Sequence, residues 1–156
     1  MSEGGRLIGM ARRAGPRAPM ETLEAGRIGV AFGLEGDHRG VVRPGKLPRR
    51  QVTILAREAW EAACADLGRE VPWTARRANL LVEQVPLPRR AGDVIAIGEV
   101  RLEVHLEIEP CERMEEAATG LREALIPDWR GGIGCRVLQG GEIAVGDAVR
   151  IEEGEA

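Results

Sequence analysis

Val100-Arg101-Leu102-Glu103-Val104-His105-Leu106-Glu107-Ile108-Glu109-Pro110-Cys111 alternates apolar and polar side chains up to a proline, and a thiol follows. Val100, Leu102, Val104, Leu106 and Ile108 point one way, and Arg101, Glu103, His105, Glu107 and Glu109 the other, which is the period of a half-buried strand. Pro110 has no N–H to give the ladder, so the strand stops there. Cys111 is thus presented at a strand end. The acid-rich run from Glu112 predicts a helix whose amino end favours a thiolate over a thiol. A nucleophile, a soft metal ligand or a persulfide carrier each suits that position. The competing reading is a packed thiol acting as a small apolar side chain.

Outward from this strand the chain repeats the same design in shorter pieces. Twenty-one glycines and nine prolines punctuate β-branched or alternating stretches, the pattern of a barrel or rolled sheet with few helices. Strands are expected over 27–31, 51–55, 79–82, 93–97, 101–108, 136–139, 142–145 and 148–152. A shorter one, 7–10, is expected amid loose chain that runs to residue 20. Gly140-Gly141 matches a tight hairpin turn. Ile95-Ala96-Ile97-Gly98-Glu99 and Ile143-Ala144-Val145-Gly146-Asp147 read as two hairpin corners of shared chemistry. Two helices are expected. The first, 57–67, carries Ala59, Trp60, Ala63, Cys64 and Leu67 on one stripe and stops at Gly68. The second, 112–125, turns Met114, Ala117, Ala118, Leu121 and Leu125 inward.

Length and charge bound the function. A chain of 156 residues and 16.9 kDa suits one domain over 1–156, with its core at about 27–151 and a frayed tail from 152. Its 22 basic and 25 acidic residues leave a formal charge of -3 with no single-sign field, which argues against nucleic acid as a partner. One Phe, three Trp and no Tyr leave little surface for stacking on bases. Cys64, Cys111 and Cys135 have no CxxC spacing, so reduced thiols and a cytoplasmic protein are expected, with neither a disulfide framework nor a zinc finger. No apolar run has the length of a membrane span. The oligomeric state is not readable.

Several segments could act with Cys111. Gly33-Leu34-Glu35-Gly36-Asp37-His38-Arg39-Gly40 holds an acid, an imidazole and a guanidinium between glycines; its bland reading is a polar turn. Arg76-Arg77-Ala78-Asn79-Leu80 leads two cations and an amide into an apolar strand. In Trp129-Arg130-Gly131-Gly132-Ile133-Gly134-Cys135 the glycines let backbone N–H groups approach a ligand. The pairs Arg12-Arg13, Arg49-Arg50, Arg76-Arg77 and Arg89-Arg90 are solvated loops taken singly, and an anion site if they meet. Ser2 is the only serine, which removes a serine hydrolase. His38 and His105 are the only imidazoles; His105 falls on the polar face of its strand, and His38 is the one available base for a thiol pair.

Taken in order, Gly36-Asp37-His38-Arg39, Arg50-Gln51-Val52, Arg77-Ala78-Asn79-Leu80, the turn from Gly92-Asp93 to Gly98, Pro110-Cys111-Glu112-Arg113, Arg130-Gly131-Gly132 and Gly141-Glu142-Ile143 to Gly146-Asp147 resemble the MOSC domain. That is the C-terminal domain of molybdenum cofactor sulfurases, also found as stand-alone bacterial proteins. The resemblance spans about 27–151. It implies a β-barrel in which Cys111 carries sulfur received from a pyridoxal-phosphate-dependent cysteine desulfurase, or ligates molybdenum. It also implies a molybdopterin pocket lined by Asp37, His38, Arg39, Arg50, Arg77, Asn79, Arg130, Gly131 and Gly132, with three of Arg50, Arg76, Arg77 and Arg130 balancing the phosphate and dithiolene. The chain has no aminotransferase-like or ferredoxin segment, so sulfur or electrons must come from a partner. Pyridoxal phosphate belongs on that partner, because Lys46, the single lysine, lies in a Pro/Gly/Arg loop. Two other readings stay open: a non-catalytic small-ligand or partner-binding barrel with a packed cysteine, and a molybdenum-dependent reductase of N-hydroxylated compounds needing an electron donor.

Overall fold

A computed structural model describes residues 4–153. In chain order the elements are β1 (Gly5–Arg12), β2 (Glu21–Leu23), β3 (Ala25–Gly29), β4 (Gly33–Leu34), β5 (Val52–Ala56), α1 (Arg57–Leu67), β6 (Leu80–Glu83), β7 (Val94–Ile97), β8 (Val100–Glu107), α2 (Glu112–Ala117), α3 (Leu121–Ala124), β9 (Ile133–Gln139), β10 (Gly141–Ala144) and β11 (Ala148–Glu152). Short 3-10 turns at Trp73–Arg76 and Pro127–Trp129 complete them.

Seven strands close a ring in the order β1, β11, β7, β8, β9, β5, β6 and back to β1, so the fold is a mainly β barrel, as expected. Closure removes the exposed edges of an open sheet. Every neighbour in the ring is antiparallel except β5 and β6, which are parallel and joined through α1. A parallel pair needs such a crossover because a tight turn reverses the chain. β3, β4 and β10 form a second, three-stranded sheet.

The barrel interior is filled by one side of each strand. Val100, Leu102 and Val104 of β8 meet Ile95 and Ile97 of β7, Leu7 of β1 and Val137 of β9, all at 2 % exposure or less. Alternation fails where the register slips: Val104 faces Cys135 and Leu106 faces Gly134, which leaves His105 as a bulged residue. Beyond the bulge Leu106 is only half-buried, and Ile108 is fixed by its N–H to the Gly132 carbonyl at 2.9 Å. A second apolar layer joins Leu55, Trp60, Leu81, Met114, Leu121 and Leu125. Trp60 satisfies its indole N–H on the Val71 carbonyl at 2.8 Å.

Four expectations need correction. The amino-terminal strand is twice as long as expected and is no loose appendage: β1 pairs β11, β2 and β6. Gly9 makes this possible, since a Cβ there would sit 2.8 Å from the Trp73 ring. The second helix is broken into α2 and α3, because Ala118 is extended and Gly120 adopts a left-handed φ of 90°. Most of its inward face survives the break, since Met114, Ala118, Leu121 and Leu125 are buried, but Ala117, expected inward, is exposed. Gly140-Gly141 makes no hairpin; the chain passes from β9 into β10, which pairs β3 in the other sheet. Of the two repeated corners only Gly98 turns a hairpin, between β7 and β8, whereas Gly146 connects the two sheets. The expected tail falls largely on residues 154–156, outside the described residues.

Candidate functional site

Four loops converge on a cleft of about 220 Å³. Arg13 enters from the end of β1, His38 and Arg39 from the loop after β4, and Arg50 from just before β5. Arg76 and Arg77 come from the 3-10 turn before β6, and Cys111 and Arg113 from the start of α2, with Pro16 and Met114 completing the walls. Three of the four arginine pairs therefore meet; Arg89-Arg90 does not join them. Among the described residues no carboxylate lines the cleft.

The thiol is held by what surrounds it. Cys111 is exposed, is the residue that caps α2, and accepts the Met114 N–H on its carbonyl at 2.9 Å. Because α2 has only six residues, the positive field here comes chiefly from side chains. Arg76, 7 % exposed, donates from Nε to the Gly131 carbonyl at 2.8 Å and from Nη2 to the Ile108 carbonyl at 2.9 Å. It thereby straps the end of the Cys111 strand to the loop before β9. Its acidity is raised by burial, an effect the neighbouring Cys111 charge opposes.

Crowding marks the other guanidinium groups. Burial, then the like charges of Arg39, Arg76 and Arg13, push the Arg50 pKa down to about 10, again opposed by Cys111. Arg50 keeps a solvent-facing surface and stays protonated at neutral pH. Arg13 is lowered by burial and then by Arg77 and Arg39; Arg77 is lowered by burial and then by Arg113. Arg77 sits at a left-handed φ of 65° and donates from Nη2 to the Ala18 carbonyl at 2.6 Å, while its buried Nε has no partner among the described residues.

Asp37 and Asn79, both expected in the pocket, act beneath it. Asp37 is 6 % exposed, and its two oxygens accept the backbone N–H groups of Arg13, at 3.0 Å, and of Arg39, at 3.1 Å. It ties β1 to the His38 loop and offsets the charge of Arg13 and Arg77. Asn79 accepts the Thr53 N–H at 3.0 Å and donates to the Ala11 carbonyl at 3.2 Å, locking β6 to β5 and β1.

Arg130 is a correction: it turns away to Asp66 of α1 at 2.6 Å and to the Ala124 carbonyl at 2.9 Å. The glycines after it pack closely against neighbouring backbone. A Cβ at Gly131 would collide with the Ile108 carbonyl oxygen, and one at Gly132, where φ is 98°, with that of Ile54. Both exist for close packing of backbones, although Gly131 reaches a crevice of about 10 Å³ that also touches Arg50 and Arg76. Sequence reasoning named Arg13 only as part of a basic pair, an anion site if the pairs meet, and did not single out Arg113 as a wall residue. The basic pair at 12–13 was the available signal for the first, and the position two residues beyond the thiol for the second.

The two other cysteines do not share this setting. Cys135 is fully buried in the barrel, where burial, then Glu103, raises its pKa far above the ordinary thiol range. Cys64 is half-buried, its Sγ 3.9 Å from the Val71 carbonyl oxygen. An alkylating reagent at neutral pH is therefore expected to modify Cys111 first, Cys64 slowly, and Cys135 only after denaturation; peptide mass mapping over time checks the order. His105 is remote from this chemistry, its Nε2 3.0 Å from Glu103 Oε1. His38 lines the cleft with Cys111, and with Arg39 and Arg50 it also lines an adjoining cleft of about 340 Å³. A larger, mainly apolar cleft of about 380 Å³ beside Pro86, Leu87 and Trp129 holds no thiol. No described helix is long and apolar enough to cross a membrane.

Comparison with known proteins bears on the fold and the family. The structure is similar to a crystal structure of the YuaD protein of Bacillus subtilis, at a TM-score of 0.82 and 17 % identity over 97 % of each chain. It also resembles YiiM of Geobacillus stearothermophilus, at 0.72 and 15 % identity over 96 % of this chain and 75 % of that one. YiiM of Escherichia coli matches at 0.66 and 15 % identity, over 94 % and 69 %. No curated protein matches the sequence significantly. The family model described as the MOSC domain matches residues 35–150, from the His38 loop through the thiol to the last strand, and the chain belongs to the MOSC domain family.

Proposed function

We propose that the cleft binds the molybdenum cofactor by its phosphate and that Cys111 is the thiolate that carries sulfur or meets the metal. One observation carries this reading: six guanidinium groups and one exposed thiol line a single cleft that has, among the described residues, no carboxylate in its walls. Guanidinium forks suit phosphate oxygens, and a thiolate suits both sulfur transfer and a sulfur-loving metal. The side chains of Arg13, Arg39, Arg50 and Arg113 make no hydrogen bond or ion pair with the described residues, which leaves them for a ligand. Arg13, Arg50 and Arg77 would hold the phosphate, and the adjoining cleft past His38 would give room for the ring system. Among the described residues no group of three or more His, Cys, Asp or Glu is placed to hold an ion, so Cys111 would be the one protein ligand. When bound, the cofactor would supply a redox metal and its own dithiolene sulfurs.

For sulfur carriage the step is an exchange. The Cys111 thiolate attacks the outer sulfur of a donor persulfide, the donor's S–S bond breaks, and the donor thiolate leaves; His38, which lines the same cleft, would take the thiol proton beforehand. The donor would be a pyridoxal-phosphate-dependent cysteine desulfurase, and an electron-transfer protein would replace it if the bound metal turns over. Free thiols suit a reducing compartment, and we place the protein in the cytoplasm on that ground. The packed-thiol alternative describes Cys135 and Cys64 better than the exposed Cys111. Non-denaturing mass spectrometry of freshly purified protein, made without reductant in cells that synthesise the cofactor, is expected to find an added sulfur or a molybdopterin-sized adduct. A bare mass there, together with no sulfur uptake from a desulfurase and cysteine, would overturn the proposal.

A further inference from the structure

We propose that the cleft accepts a small dianionic sulfane-sulfur donor of the thiosulfate class, which charges Cys111 without a protein donor. This rests on the sulfur-carrying half of the function proposed above. Three observations carry it. The cleft is small, about 220 Å³, or roughly seven water molecules at about 30 Å³ each, and it opens on the exposed Cys111. Its charge exceeds what one thiolate needs, with six guanidinium groups and, among the described residues, no lining carboxylate. Arg13, at 9 % exposure, lines it and makes no side-chain hydrogen bond or ion pair with the described residues. Asp37 offsets part of its charge but gives both carboxylate oxygens to backbone N–H groups, so an anion seated against Arg13 supplies the side-chain partner it lacks.

A donor that is itself a protein persulfide brings one negative charge to this place; a compact dianion matches the surplus. Repulsion between a thiolate and a dianion is the obstacle to the reaction in water, and fixed guanidinium groups around both reverse its sign. The step balances without an added oxidant. The Cys111 thiolate attacks the outer, sulfane sulfur of thiosulfate, forming a new S–S bond. The donor's own S–S bond breaks, its electron pair leaves on sulfite, and Cys111 becomes a persulfide. Sulfite carries away two negative charges, which the same arginines stabilise as they develop.

The test uses the full-length chain without reductant, thiosulfate as donor and cyanide as acceptor. The expected result is release of one sulfite per chain in the first turnover, a mass increase of one sulfur, and its removal by cyanide as thiocyanate. Cys111→Ser abolishes all three. Arg39→Gln and Arg113→Gln, changed at positions that are not buried, each lower kcat/KM for thiosulfate about ten-fold, the size of one lost charged hydrogen bond, and sulfate inhibits competitively. Arg89→Gln, outside the cleft, keeps the wild-type rate. If thiosulfate releases no sulfite while a desulfurase with cysteine does load Cys111, the small-donor proposal falls and the carrier reading stands. If neither donor loads Cys111, both fall; sulfite release by Cys111→Ser at the wild-type rate also overturns the proposal.

Discussion

Arg76→Met is expected to lower the unfolding free energy by about 3 kcal/mol and to loosen the thiol's position. Two carbonyls depend on this one guanidinium, Gly131 at 2.8 Å and Ile108 at 2.9 Å, and both belong to buried residues. An unsatisfied buried carbonyl costs about 1–3 kcal/mol, and relief from burying a cation returns part of that. For a domain of this size the melting temperature should fall by roughly 10 °C. Denaturant unfolding gives the free energy, and the midpoint rather than the slope should move. Arg76→Lys separates strap from charge: a single ammonium cannot span both carbonyls as the fork does, so about half the loss should remain. Because Ile108 lies three residues before Cys111, the Met variant should also change the alkylation rate of Cys111 while leaving Cys135 unreactive. A wild-type stability in Arg76→Met would mean that the strap is not what holds the strand end.

The same cluster explains why the site and the fold pull in different directions. Burial lowers the pKa of Arg13, Arg50, Arg76 and Arg77, and repulsion by neighbouring arginines adds to it for all but Arg76, which means that the folded protein holds these charges less favourably than water does. A site of this kind is destabilising when empty of anions and stabilising when one is bound, so ligand affinity and thermal stability are linked. Asp37 limits the cost from below, spending both carboxylate oxygens on backbone N–H groups of the loops that carry Arg13 and Arg39.

What could be read from the sequence follows from which contacts are local. The β8 alternation and the proline that ends it are properties of consecutive residues, and they located Cys111. The α1 stripe and its Gly68 stop are equally local, and that helix falls where the spacing put it, at Arg57–Leu67. β1 was underestimated because Gly5 and Gly9 look like loop residues until the Val85 side chain and the ring of Trp73 press against them. The break between α2 and α3 is accompanied by Glu115 accepting the Gly120 N–H at 2.9 Å, a contact whose value the sequence does not display. In the site, the pairing of Arg13 with the His38 loop is tertiary and was unreadable. Arg130-Gly131-Gly132 was legible as special but for the wrong reason: its glycines admit neighbouring carbonyls, and its arginine reaches back to Asp66.

Cys111→Ala should remove sulfur loading completely and weaken cofactor binding by about a hundredfold or more, with little change in stability. The two halves of that expectation come from the same facts. The side chain is exposed, and no hydrogen bond from its sulfur to a described residue holds the fold, so its loss removes no packing and surface changes of this kind stay within about 0.5 kcal/mol. Chemically there is no substitute: Cys135 is sealed inside the barrel and Cys64 lines a separate apolar cleft with Trp60 and Trp73. Loss of a metal ligand exceeds the 10–100-fold range, approximately, that is typical of the groups merely supporting one. The phosphate contacts of the arginines should persist, so residual affinity that falls with added salt is expected, with slower loss in wild type. Mass spectrometry for loading, and competition by inorganic phosphate at two salt concentrations for binding, separate the outcomes. Undiminished loading in Cys111→Ala would show that sulfur is carried elsewhere, and undiminished affinity would show that the arginines alone hold the ligand.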